Sequence, residues 1–251
     1  MQALLFLTHS LDPLIVKRYE NIQLPKDFDR YLLLDAHCVS EFSRTDVIPF
    51  TLNGLKSTGY SPIFDRLIPG SNHFPVLEFC HKFPKYDYVW SMEYDVVFSG
   101  EWTTFFQAVD RPADLLTAEI RNYWDDPNWY WWRTFSYSSK PHSDSNAQNS
   151  WPEQALASFN PLYRLSRRAA QHLRNQCLLK GWVGHHELIM PTLLDMAEMT
   201  VEDFGLPSEG CGVANRWYAE QTYGHRQVDF PSLALDFPNT LFHSVKIKPT
   251  P

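Results

Sequence analysis

Apolar and polar positions alternate in blocks along the first hundred residues. Mainly apolar runs occupy Ala3 to Thr8, Tyr31 to Ala36 and the stretch YDYVWSM at 86–92, and polar residues bound each of them. Blocks of this length predict strands that are covered on both faces. The interval between the first two leaves room for a crossover connection, so we expect these strands to pair in parallel.

Helical spacing of apolar residues appears between the predicted strands. Ser166 suits an N-cap and Gly181 suits the C-terminal end of one such helix. Pro191 is tolerated only near the start of its helix or at a kink. The predicted helices are PVLEFCHK at 75–82, TTFFQAVD at 103–110, residues 166–181, and HHELIMPTLLDMAEM at 185–199.

Further extended segments complete the pattern. They are predicted in ADLLTAEI at 113–120, around Leu162 and Tyr163, and in the tail NTLFHSVKIK at 239–248. Strands that alternate with helices predict an α/β sandwich around a mainly parallel sheet, which we assign to one domain spanning 1–251. In such sheets ligands collect at the carboxyl ends of the strands.

In two segments the apolar residues have neither helical nor strand spacing. Residues 122–150 are rich in Trp, Tyr, Asp, Asn and Ser, and residues 202–218 carry turn formers. We predict loops at both places, and either loop is a candidate for a lid.

Composition and charge exclude several classes of protein. The 251 residues are 44% hydrophobic, with a formal net charge of -7, which argues against a surface that holds nucleic acid. No stretch approaches the roughly 18 apolar residues that a membrane helix requires, although peripheral membrane contact stays open. Neither GxGxxG nor GxxxxGK[ST] occurs, so a dehydrogenase or P-loop enzyme is not indicated.

The cysteines indicate a reducing compartment. Their wide spacing, without a CxxC pair, suggests neither a zinc site nor a redox motif, and we expect buried thiols and a cytoplasmic location. They are Cys38, Cys80, Cys177 and Cys211.

Two acids follow the third apolar run. In an extended segment Glu93 and Asp95 face the same side, where their like charges conflict. A Mg²⁺ or Mn²⁺ ion resolves that conflict, since both accept carboxylate and phosphate oxygens. The alternative is a solvated strand end, with the acids paired to Lys or Arg.

The segment DYVWSMEYDVVFSGEW resembles the strand and acidic motif of GT-A-fold glycosyltransferases, with Glu93, Tyr94 and Asp95 as an ExD variant of the DxD motif. GWVGHHELIMPTL at 181–193 and LFHSVK at 241–246 follow in the order that this family shows. The resemblance implies a GT-A, Rossmann-like α/β/α sandwich that binds a nucleotide-sugar donor, such as a UDP- or GDP-sugar.

The resemblance also implies roles for individual residues at the metal site. Asp95 is expected to bind the metal, Glu93 to contact it directly or through water and ribose, and His243 to complete the site. Lys246 would place its positive charge on phosphate. His243 also fits an ordinary, partly buried histidine on a terminal strand.

Glu187 matches the position of the acid that deprotonates the acceptor in inverting members. It opens a predicted helix, whose dipole favours its ionised form; the alternative is a helix-start acid with no chemical role. His186 beside it is expected to contact substrate. His185 and His186 as metal ligands are disfavoured, because adjacent helical residues point apart and HHE is no match for HExxH.

The aromatic segment, Asn122 to Ser139, suits a sugar ring, because flat apolar faces lie beside polar groups. Trp124 and Trp129 are expected to bind sugar through their rings, and Asp125 and Asp126 through hydrogen bonds. The alternative is that the tryptophans pack a small core under a long loop.

The strand ends at the front of the chain are expected to meet the nucleotide. Thr8 and Ser10 follow the first predicted strand, where GT-A folds usually bind base and ribose. Asp65 and Arg66 are weaker candidates for contact with base or diphosphate.

We therefore expect a metal-dependent transferase that moves a sugar from a nucleotide-sugar to a hydroxyl acceptor, with inversion. One alternative is a hydrolase or nucleotidyltransferase that uses the same acids on a sugar nucleotide. Another is a carbohydrate-binding or non-catalytic protein on a transferase fold.

Overall fold

A computed structural model describes residues 1–37, 44–137, 151–205 and 217–246. The strands are β1 Gln2–Thr8, β2 Phe28–Asp35, β3 Val47–Phe50, β4 Tyr88–Glu93, β5 Val97–Phe98, β6 Leu115–Asn122, β7 Ser136–Tyr137, β8 Leu156–Ser166, β9 Trp182–Val183, β10 Val201–Asp203 and β11 Leu241–Phe242. The helices are α1 Pro13–Glu20, α2 Leu52–Thr58, α3 His73–Lys82, α4 Trp102–Ala108, α5 Trp151–Gln154, α6 Arg167–Leu179, α7 His186–Asp195 and α8 Phe230–Leu233, with 3₁₀ turns at Tyr123–Asp125 and Tyr130–Thr134.

Seven strands form the central sheet, in the order β10-β6-β8-β4-β1-β2-β3. β1 pairs in parallel with β2 and with β4, as the apolar runs predict. β8 is antiparallel to both of its neighbours, β4 and β6. The other six strands share one direction, so their carboxyl ends lie at one edge of a Rossmann-like α/β sheet, and the predicted fold class is confirmed.

Apolar side chains cover both faces of the sheet. Ala3, Leu5 and Leu7 of β1 pack into one core, which also contains buried residues of α3, α6 and α7. Leu4 and Phe6 point into the opposite core, with residues of α1 and α4. Consecutive residues of β1 thus alternate between two cores, which explains why the run is apolar at nearly every position.

The helix ends follow the predicted signals. Ser166 caps α6, because its hydroxyl accepts the Ala169 amide at 3.1 Å. Gly181 has a positive φ of 71° just past the end of α6. Pro191 lies inside α7, which continues to Asp195.

Several elements differ from the prediction; the helices α1 and α2 and the strand β5, for example, were not predicted. Val201–Asp203 pairs with β6, so the segment predicted as a loop from residue 202 begins in the sheet. β3 was missed, because four residues that include Pro49 carry little strand signal. The aromatic segment contains two 3₁₀ turns rather than being irregular throughout.

Cys80 and Cys177 are free and buried, as expected. Cys38 and Cys211, like the centre of the loop predicted at 202–218, lie outside the described residues. Among the described helices, none is both long and apolar enough to cross a membrane.

Candidate metal and nucleotide site

Pairing between β5 and β11 builds the site from two distant parts of the chain. β4 delivers Glu93 to the carboxyl edge of the sheet, and the chain then turns, with the Val96 amide donating to the Glu93 carbonyl at 3.1 Å. β5 follows this turn and pairs antiparallel with β11. His243 comes directly after β11 and is thereby placed beside the two acids.

Three candidate metal ligands converge at this point. His243 Nε2 lies 3.5 Å from Glu93 Oε2 and 3.6 Å from Asp95 Oδ1. One ligand atom from each residue can be chosen so that all three lie within 4.8 Å of one another. The predicted meeting of the acids is therefore confirmed, but the stated reason is wrong. Asp95 lies in a turn after the strand, so the turn and not strand alternation brings its carboxylate to Glu93.

A backbone contact orients the imidazole of His243. Its Nδ1 lies 2.8 Å from the carbonyl oxygen of Gly224, which can only accept a hydrogen bond. Nδ1 therefore carries the proton, and in the neutral ring Nε2 presents its lone pair to the acids. Contacts of this kind fix the tautomer of histidines that bind metals. Burial by itself lowers the pKa of His243, but the carboxylates of Glu93 and Asp95 raise it above its usual value.

The Asp95 carboxylate is buried with one oxygen unsatisfied. The residue is 1% exposed, and its Oδ1 has no hydrogen-bond partner among the described residues. A buried, unpaired carboxylate oxygen is costly, so such an atom indicates a missing ligand. Around an octahedral ion with bonds of about 2.1 Å, neighbouring ligand atoms lie about 3.0 Å apart and opposite ones about 4.2 Å apart. The three groups need to draw together only slightly to bind Mn²⁺ or Mg²⁺.

Two permanent cations face the acids. Lys246 Nζ forms an ion pair with Asp95 Oδ2, and its side chain is 46% exposed. Arg18 of α1 donates to the carbonyl oxygens of Tyr94 and Val245, at 2.9 Å each. Arg18 thus ties the acidic turn to the segment that carries His243, while Lys246 compensates the charge of Asp95.

Asn72, the residue before α3, holds the other acid. Its Nδ2 donates to Glu93 Oε1 at 2.7 Å, which leaves Glu93 Oε2 facing His243. No sequence pattern marks Asn72, Arg18 or Gly224, because they act through contacts between distant segments and belong to no local motif.

A shallow pocket, open to solvent, adjoins Glu93 at the carboxyl ends of β1, β2 and β3. Its position suits a nucleoside, given where open α/β sheets bind ligands. Asp35 at the end of β2 was also missed in the sequence analysis. The lining residues are Leu7, Thr8, His9, Asp35, Phe50, Leu67, Ile68, Asn72, Glu93 and Tyr94.

The predicted nucleotide contacts divide between this pocket and its surroundings. Thr8 lines the pocket. The Ser10 hydroxyl lies further along, where it accepts the Asp12 amide at 3.1 Å before α1. Arg66 is exposed, and its neighbours Leu67 and Ile68 line the pocket instead. Asp65 pairs with Lys56 at 2.9 Å.

Glu187 opens α7 as predicted and is 3% exposed. Its Oε1 accepts the Asn160 amide at 3.4 Å, whereas its Oε2 is buried without a hydrogen-bond partner among the described residues. Burial raises the pKa of Glu187 to about 8, and the charges of Glu93 and His243 also act on it. The carboxyl group therefore lies within electrostatic reach of the candidate metal site and is mainly protonated at neutral pH.

Three buried histidines lie around Glu187. The His185 and His186 rings are 4.8 Å apart, and the His73 and His186 rings 6.4 Å apart. Burial lowers the pKa of His73 and of His185 to about 3, and that of His186 well below its usual value, so all three are neutral at pH 7. His186 was predicted to contact substrate, but the residue is only 6% exposed.

The aromatic segment packs on the start of α7. Trp131 stacks on His185, with ring centroids 4.3 Å apart. Trp132 is buried in a small core with Ala157 and Leu188, so the packing alternative holds for this tryptophan. The aromatic segment is thus fixed beside Glu187.

The predicted sugar contacts differ in how open they are. Trp124 is 65% exposed. The guanidinium of Arg121 covers Trp129 at 4.7 Å. Asp125 accepts the Asn122 amide at 2.8 Å, so its carboxylate is part of the local turn. The Asp126 carbonyl accepts from Trp132 Nε1 at 2.7 Å.

Comparison with known proteins gives one family match. A family described as "Protein of unknown function (DUF3405)" matches residues 41–148, a span that includes Glu93 and Asp95 but neither Glu187 nor His243. No curated protein matches the chain. Because the description names no activity, function has to be inferred from the side chains of the site.

Proposed function

We propose that this protein is a metal-dependent glycosyltransferase of the GT-A type, which moves a sugar from a nucleotide-sugar donor to a hydroxyl acceptor. The observation that carries the proposal is the convergence of Glu93, Asp95 and His243 at the carboxyl edge of a mainly parallel sheet, beside an open pocket. The burial of Asp95 Oδ1, with no hydrogen-bond partner among the described residues, supports a ligand at this position.

The donor site divides into two parts. Glu93, Asp95 and His243 would hold Mn²⁺ or Mg²⁺, which supplies electrostatic and Lewis-acid stabilisation to a leaving diphosphate. The pocket with Thr8 and Asp35 would take the nucleoside, and Lys246 would contact phosphate. UDP- and GDP-sugars are the candidate donors.

Glu187 is proposed as the base that takes the acceptor proton, with inversion at the anomeric carbon. A base must be ionised, and the pKa of about 8 means that most copies are protonated at pH 7 without a bound ligand. The expected rate therefore rises with pH up to about 8 and then levels off. Retention of the donor's anomeric configuration would contradict this role.

The acceptor is proposed to approach over the aromatic segment. Trp131 reaches Glu187 through His185, and Trp124 offers an open ring face. A cytoplasmic location and a lid movement of this segment stay predictions.

A thermal-shift panel tests the donor site. Nucleoside diphosphates and sugar nucleotides are added with Mn²⁺, with Mg²⁺ or with EDTA to the parent protein, to Asp95→Ala and to a control, Asp27→Ala, which removes an exposed acid at the amino edge of the sheet. A ligand at about 100 times its dissociation constant adds roughly 2.7 kcal/mol to the free energy of unfolding, a shift of several degrees.

We expect one nucleotide to stabilise the parent and the control only with metal, and Asp95→Ala not at all. An absence of any shift, with working controls, would remove the donor-site proposal. Stabilisation followed by release of sugar phosphate, without transfer to any acceptor, would favour the hydrolase instead.

A further inference from the structure

The acids of the candidate metal site already have a counter-ion. Lys246 Nζ pairs with Asp95 Oδ2, while Asp95 Oδ1 faces His243 Nε2. Lys246 therefore leaves the proposed ligand oxygen free but places a full positive charge on the same carboxylate. A metal ion at Oδ1 would lie close to this ammonium group and be repelled by it.

Charges of both signs already meet at this point before any metal enters. Among the described residues, Glu93 and Asp95 are negative, and Lys246 and Arg18 are positive. Arg18 cannot readily leave, because its guanidinium is held by the Tyr94 and Val245 carbonyls. A bare divalent cation would give this cluster excess positive charge. A nucleoside diphosphate brings more negative charge than one divalent cation neutralises, so the metal–nucleotide complex suits the cluster better.

Lys246 has room to change partners. Its side chain is 46% exposed, and its ammonium group lies 5.3 Å from the centre of the Tyr94 ring. Tyr94 lines the pocket that adjoins Glu93. The ammonium group thus stands between the acid that it neutralises and the space where a nucleotide would lie.

We propose that Lys246 is a specificity-determining residue that makes the site bind the metal–nucleotide complex in preference to the bare metal ion. This inference rests on the proposed function. Without nucleotide, Lys246 stays on Asp95 and opposes the cation. With nucleotide, the same charge moves to phosphate and favours the complex, so removal of Lys246 has opposite effects on the two binding reactions.

Binding of Mn²⁺ tests the inference without an activity assay. Free Mn²⁺ is measured by electron paramagnetic resonance in titrations of the parent, Lys246→Met, Lys246→Arg and Asp95→Ala. Lys85→Met serves as the matched control, because Lys85 pairs with Asp29 at 2.9 Å away from this site. UDP and GDP are then titrated at saturating Mn²⁺, and melting temperatures confirm folding.

We expect Lys246→Met to bind Mn²⁺ alone about tenfold more tightly, as charge repulsion beside solvent allows, and to bind the Mn²⁺–nucleotide complex about tenfold more weakly. Lys246→Arg and Lys85→Met should behave like the parent. If Lys246→Met leaves Mn²⁺ binding unchanged or weaker, while Asp95-dependent binding of the complex persists, the inference fails and the proposed function stands. If no Mn²⁺ binding depends on Asp95 in any variant, both fail.

Discussion

Two buried aspartates at opposite edges of the sheet show how differently the same side chain is used. Asp114 and Asp95 are 2% and 1% exposed. Asp114 precedes β6 at the amino edge, and its carboxylate accepts from Ser166 Oγ and Arg168 Nε at 2.6 Å each, and from the amide and hydroxyl of Thr200 at 3.1 Å each. Asp95 has Lys246 on one oxygen and, within the part of the chain that the structure describes, no hydrogen-bond partner on the other.

The difference separates a structural acid from the acid that we propose to bind a metal ion. Every oxygen of Asp114 is satisfied by the protein itself, so its burial stabilises the fold. Asp95 pays a desolvation cost that the protein leaves partly uncompensated, which is common at sites that receive a ligand. Burial alone would have grouped the two residues together, whereas counting the partners of each oxygen separates them.

The largest effect is expected on activity, when Asp95 is replaced. Asp95→Ala should lower sugar transfer by about 10³-fold, because the proposed metal loses a ligand beside the leaving diphosphate. The free energy of unfolding should change by less than about 1 kcal/mol, because an unsatisfied buried oxygen is removed. Steady-state rates and urea denaturation check both; full activity would end the metal assignment.

Asp114→Ala should produce the opposite pattern. Removing the carboxylate leaves Ser166 and Thr200 without their shared partner, and we expect a loss of about 2–4 kcal/mol in the free energy of unfolding. Metal-dependent nucleotide binding should persist at a temperature where the variant is folded. A stability equal to that of the parent in urea would show that the two aspartates do not differ as proposed.

The loss of stability at low pH gives a further test of the role of Asp114. Burial by itself raises the pKa of Asp114, but hydrogen bonds from Arg168, Ser166 and Thr200 lower it to about 2. This folded-state pKa lies below the unfolded value of about 3.9. The contribution is therefore present above about pH 4 and lost as the pH falls toward 2. The parent should lose more stability than Asp114→Asn across that window in urea titrations; parallel curves would argue against the lowered pKa.

Glu187 gives a pH dependence of the reverse sign. Its folded-state pKa of about 8 lies above the unfolded value, so folding favours the protonated form and stability falls as the pH rises from about 4.5 to 8. Glu187→Gln cannot ionise and should gain about 3–5 kcal/mol over the parent by pH 8. Thermal unfolding at pH 5 and pH 8 measures the gain, with the exposed Glu101→Gln as control. A gain that is equal at both pH values would contradict the raised pKa.

Local patterns predicted most of the elements, because β1, β2 and β4 are buried on both faces and read as apolar runs. The direction of β8 was not predictable: its pairing with β4 and β6 is chosen by the tertiary fold, and a buried strand looks the same in either direction. β3 and β10 were missed because each is too short to show a period.

The candidate site likewise contains residues that the sequence predicted and residues that only the fold reveals. Glu93, Asp95 and His243 were singled out by spacing and resemblance, and the structure brings them together. Asn72, Arg18 and Gly224 orient them through contacts across long stretches of chain, and no pattern near any of the three marks this role. His185 and His186 were recognised beside Glu187, but His73 was not, and the neutral state of all three follows from burial that only the fold reveals.

The pairing of β5 with β11 has a consequence for the timing of biosynthesis. Asp95 and Lys246 are separated by 151 positions, and His243 enters only with the same late segment. At about 5–20 residues per second, a ribosome needs about 8–30 s to make that interval. The acidic turn therefore leaves the ribosome well before His243 exists, so the growing chain cannot assemble the candidate metal site until this late segment has been synthesised.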